Sequence, residues 1–158
     1  MSMSRPYKLP QSVLVVIHTA DLQVLLLRRA DIGSWQSVTG SKDDLQDTSW
    51  ETAGREVAEE TGLNALAEAY VLSDWALENH YAIYPQYLHR YAPGVTHNTE
   101  RVFGLRLPEI APVTLSPREH TESVWLPWQE AASQVFSASN AVAIERLNPL
   151  AQSGGVAC

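Results

Sequence analysis

Cysteine is almost absent from this chain: its one copy is the last residue, Cys158. No intrachain disulfide can form, so stability has to come from a packed interior, and a reducing compartment fits. Cationic side chains are scarce as well, 11 Lys and Arg against 18 Asp and Glu, for a net charge of -7. Such a balance removes the broad basic surface with which proteins grip nucleic acid, so no nucleic-acid partner is expected. Long apolar runs are also missing, and none approaches the ~20 residues of a membrane helix. Residues 1–10 lack the apolar core and small-residue cleavage pattern of a signal peptide. The expectation is a soluble cytoplasmic protein with no membrane partner.

What is present suffices for a core. The chain has 158 residues, 45% of them hydrophobic, with five Trp and six Tyr. That describes a folded globular protein of one domain over 1–158, with 148–158 as a flexible Gly-rich tail. The aliphatic runs at 13–17 and 24–27 predict buried strands, and 35–38 a third that ends at Gly40. Thr48 and Glu51 have the spacing of a capping box, and Gly62 suits a helix stop, so a helix is predicted between them. Glu51 and Arg55 are then an i,i+4 pair. Further extended stretches are expected at 70–75, 81–91, 101–107 and 123–126, with helices over 127–135 and 140–147. Mixed strands with few helices place the chain in the α/β or α+β class, in a sandwich-like arrangement.

One stretch stands out chemically: Arg55-Glu56-Val57-Ala58-Glu59-Glu60-Thr61-Gly62-Leu63. On the predicted helix Glu56, Glu59 and Glu60 crowd one face, where like charges destabilise unless something offsets them. A divalent cation is the natural offset, and hard oxygen ligands suit magnesium or manganese bridging to a phosphate-bearing substrate.

Residues 40–63 resemble the Nudix box. Arg55, Glu56, Val57, Glu59, Glu60, Gly62 and Leu63 match its second half residue for residue. The first half departs from it, because the span from Gly40 to Arg55 is longer than the signature by one residue. Counting back from Arg55 puts Asp47 where the family has a glutamate that braces the arginine. Such a resemblance implies a Nudix fold, an α/β/α sandwich around a mixed central sheet, and magnesium-dependent hydrolysis of a small-molecule triphosphate. It further implies Glu56 and Glu60 as first-choice metal ligands, with Glu59 on a second ion or a metal-bound water. Glu119 becomes a ligand or general base from a distant loop, the Gly40 carbonyl is aimed at a metal, and Arg55 orients the loop and the glutamates.

The flanks at 35–41 and 89–100, with Tyr7-Lys8, Glu119-His120 and Trp125-Leu126, are similar to one bacterial branch of the family. Its substrate is 7,8-dihydroneopterin triphosphate, cleaved to the monophosphate and pyrophosphate in folate synthesis. By that resemblance Lys8 and Arg28 neutralise the phosphate tail, and Thr39 offers a hydroxyl or amide. Tyr81, Ala82, Ile83 and Tyr84 take the pterin side, where the two tyrosines stack on the ring, and Ser137 adds a late contact. Trp35 is read as core. The alternatives are a nucleotide-pool sanitising hydrolase of the same family and a catalytically silent binding module.

Overall fold

The structure, a computed structural model, describes residues 7–150. Most of the expected tail, 151–158, lies outside the described residues, as do 1–6.

The aliphatic run at 13–17 lies in strand β1 (Gln11–Thr19), the centre of a seven-stranded sheet. Alternate β1 side chains leave opposite faces. Val13, Val15 and Ile17 join a cluster with Leu25, Phe103 and Val57 on one side. Leu14 and Val16 join Leu26, Val102 and Ile144 on the other. A strand buried on both faces has no polar alternation, which is why it reads as an unbroken apolar run. Strands β2 (Gln23–Arg29), β3 (Trp35–Gln36) and β4 (Val38–Ser41) follow, β2 and β4 both antiparallel to β1. Helix α1 (Ser49–Thr61) covers the first face, and α2 (Trp128–Gln134) and α3 (Ala138–Glu145) cover the second. Between them come β5 (Val71–Ala82), β6 (His97–Leu107) and β7 (His120–Pro127). β6 runs parallel to β1 and β5 antiparallel to β6, so the sheet is mixed and the layers are α/β/α.

Three expectations change. The stretch at 70–75 runs on as one long strand, β5, to Ala82, and most of the stretch at 81–91 is not extended but a 3-10 helix at Pro85–Arg90. A bulge splits the strand: its register with β6 shifts between Asp74 and Leu77, and Ala76 takes φ 54° with its amide bonded to Asp74 Oδ1. Aromatic content at 81–91 hid the turn that Pro85 starts at N1. The Glu51–Arg55 pair does not form either; Glu51 Oε1 accepts from the Thr48 amide while Arg55 turns to other partners. The capping box itself is present, with the Thr48 hydroxyl accepting from the Glu51 amide at 3.0 Å, and Gly62 ends α1 at φ 75°. Thr48→Ala should therefore cost about 1 kcal/mol in chemical denaturation, with the slope of the transition unchanged. Trp35 is half-buried and packs on the second core cluster, in line with its reading as core.

Candidate active site

The C-terminal half of α1 lies against β4, and that packing buries two of its three glutamates. Glu56 is 7% exposed and Glu60 3%, while the Glu59 side chain stays half in solvent. Gly40 makes the packing feasible. A Cβ there would overlap the Glu56 carboxyl group, so the strand and the carboxylate approach each other where only glycine fits.

The two buried carboxyls are electrostatically uncomfortable. Burial, then the Glu56 charge, push the Glu60 carboxyl well above its ordinary 4.5, against a hydrogen bond from the Thr39 backbone. Glu56 is also raised, mainly by burial, although the Arg55 guanidinium opposes the shift. Glu60 Oε1 is buried with no hydrogen-bond partner, and His120 Nε2 is 4.0 Å away. His120 is itself held toward its neutral form by burial and by Arg29. A close pair of hard oxygen donors, one orphaned, fits a divalent cation. Among the described residues no three acidic or histidine side chains already form a metal cage. An ion that takes much of its shell from water and phosphate needs no such cage.

Arg55 ties the helix to the loop after β4. Its Nη2 donates to the Ser41 carbonyl at 2.9 Å, Nη1 lies 3.2 Å from both Glu56 and Glu59, and Nε is 3.3 Å from Asp43. Asp47, expected to brace it, instead accepts from the Asp44 amide within the loop. The extra loop residue thus comes with a change of partner, and Asp43 supplies the acid.

These groups form one wall of a cleft of about 1090 Å³. Glu119 reaches it from the loop before β7, where its carbonyl accepts from the Ala30 amide. Of the expected substrate residues, Lys8, Thr39, Tyr81, Ala82, Ile83, Tyr84 and Ser137 all line it. The Thr39 hydroxyl donates to the Val13 carbonyl at 3.0 Å, which leaves its lone pairs rather than its proton for a ligand. Ser137 caps α3, accepting from the Asn140 amide. Lys8 is lowered by burial and then by Arg90 and Arg29, a convergence of positive charge that suits a polyanion.

Arg28 is the exception. It points away from the cleft, pairing with Glu122 at 2.7 Å and donating to the Gly33 carbonyl at 3.1 Å. Arg29 lines the cleft instead, paired with Asp31 at 2.6 Å. Since β2 is buried on both faces, nothing in its composition tells which arginine faces inward. Only the phase of Leu25 and Leu27, which face α1, would have pointed to Arg29. Arg29→Ala should raise KM about tenfold and Arg28→Ala less than twofold in the same steady-state assay.

The NUDIX domain model matches residues 8–147, and the chain belongs to that family. It is 42% identical over 142 residues to the dihydroneopterin triphosphate diphosphatase of Escherichia coli strain K12, covering 89% of this chain and 93% of that protein. The Haemophilus influenzae protein of the same name is 37% identical over 143 residues, covering 89% and 88%. The solved structure of the E. coli dihydroneopterin triphosphate pyrophosphohydrolase superposes with TM-score 0.83 over 90% of this chain and 97% of that one.

Proposed function

We propose that this chain hydrolyses 7,8-dihydroneopterin triphosphate to the monophosphate and pyrophosphate. Buried Glu56 and Glu60, facing a cleft that Lys8 and Arg29 also line, carry the chemistry, and the bacterial relatives of that name supply the substrate. Nudix hydrolases generally use a divalent metal, and magnesium is the ion we assign. Bound there, it would neutralise phosphate oxygens and lower the pKa of a bound water.

The chain's own groups divide the remaining work. Glu56 and Glu60 would hold the ion, with the Gly40 carbonyl and Glu119 as further oxygen donors. Glu59, half-exposed at the cleft wall, suits a second ion or its water. Arg55 keeps the carboxylates and the loop in register through Ser41 and Asp43. Lys8 and Arg29 face the triphosphate as cations, Arg29 taking the role first assigned to Arg28. Glu119 lines the same cleft and would accept a proton from the attacking water, or ligate the ion. Tyr81 and Tyr84 offer ring faces for the pterin, with Ala82, Ile83 and Ser137 beside them. We read the chain as one catalytic domain acting in the cytoplasm on a small molecule, a compartment suited to its single cysteine.

Chromatography of a reaction with dihydroneopterin triphosphate and magnesium should show monophosphate and pyrophosphate in equal amounts. Addition of EDTA should stop it. Orthophosphate as the main product, or no consumption of substrate, refutes the proposal.

A further inference from the structure

Strand β6 sends two further side chains into the cleft that nothing above employs. Asn98 and Glu100 are two residues apart and so share a face of the strand, and both line the cavity. Asn98 is 3% exposed and Glu100 5%. Glu100 accepts from Asn79 Nδ2 and Ser139 Oγ, each at 3.1 Å, and both bonds land on Oε1. Among the described residues no donor is bonded to Oε2. Asn98 spends both amide protons, on Ser12 Oγ at 2.7 Å and Tyr81 OH at 2.9 Å. Its Oδ1 is buried without a donor.

This part of the cleft therefore offers acceptors: Glu100 Oε2, which takes no bond among the described residues, and Asn98 Oδ1, which is buried without a donor. Buried acceptors without donors are costly, and a ligand that brings N–H groups relieves them. Tyr81 is bonded to Asn98 and faces the same space, so a flat ring seated against it would present its edge to this pair.

We propose that Glu100, supported by Asn98, is the specificity-determining acceptor for the ring, reading the adjacent N–H and amino donors of a 2-amino-4-oxo pyrimidine edge. Pterins and guanine carry that edge. Adenine does not: beside its amine stands a ring nitrogen whose lone pair would face the carboxylate. Two parallel N–H donors on one carboxylate form a charge-assisted bidentate pair, the strongest arrangement available to a neutral ring. Asn79 and Ser139 are positioning residues that hold Oε1 and aim the group. The inference rests on the pterin reading of the site and adds the element that selects the ring.

Glu100→Gln keeps shape and removes the charge. The kcat/KM for dihydroneopterin triphosphate should fall about tenfold or more, mainly through KM. Its ratio to kcat/KM for dATP should fall by at least as much, because a glutamine amide offers the donor and acceptor that adenine matches. Fluorescence titration with 7,8-dihydroneopterin, which has no phosphates, should show Kd weakened about tenfold in the variant without magnesium. Ser139→Ala, a milder change should Glu100→Gln fold poorly, should raise KM about threefold and leave kcat alone. An unchanged substrate ratio and an unchanged dihydroneopterin Kd in folded protein overturn the assignment. Should wild type bind dihydroneopterin through Glu100 yet leave the triphosphate intact, the ring site stands and the catalytic reading falls.

Discussion

Glu60→Gln should lower kcat by on the order of 10²-fold or more while raising the melting temperature of the metal-free protein. Both effects have one cause. Glu60 is 3% exposed, Glu56 is beside it, and its Oε1 has no hydrogen-bond partner. Without a cation, burial and the neighbouring charge raise its pKa above 4.5. The folded protein then holds a proton that the unfolded chain releases, so stability is lost as pH rises above about 4.5. A neutral amide of the same shape removes that loss, with a gain on the order of 2 kcal/mol near neutral pH. Melting curves in EDTA from pH 5 to 8 should slope downward in wild type and lie flatter in the variant. Magnesium should then raise the melting temperature of wild type and leave the variant almost unmoved. A variant that is less stable at every pH, or that keeps its activity, contradicts the account of the site.

Gly40→Ala should be nearly as damaging to turnover, through geometry instead of charge. The added methyl would stand where the Glu56 carboxyl group is. The backbone cannot yield easily, because Gly40 is paired with Val13 of the central strand β1. The carboxylate has to turn away, and displacement of a reacting group by about 1 Å can cost 10²-fold in rate. Half-saturation by magnesium should move to at least about tenfold higher concentration, with a stability cost of about 1–3 kcal/mol. Wild-type magnesium dependence with only a lowered melting temperature would mean that Gly40 serves packing alone.

Much of this was legible in the chain because it is local. A capping box, a left-handed glycine stop and carboxylates one turn apart are set by neighbours in sequence, and α1 has all three. The aliphatic runs at the sheet centre were legible because burial on both faces leaves no other residue type. What escaped depends on distant partners. Whether Asp43 or Asp47 meets Arg55 is decided by the path of a polar loop that follows no repeat. The choice of Arg29 over Arg28 depends on which face of β2, that of Leu25 and Leu27 or the opposite one, turns toward α1. Asn98 and Glu100 belonged to a stretch whose resemblance was plain and whose purpose was not. Only their burial, and the side on which β6 presents them, gives them a role.

Steady-state kcat/KM for dihydroneopterin triphosphate, dGTP and dATP, measured side by side with magnesium, tests the central claim most directly. The account predicts that the pterin triphosphate is preferred over dGTP by about tenfold or more, and that dATP is the poorest of the three. A nucleotide handled as well as the pterin triphosphate, or better, would contradict it.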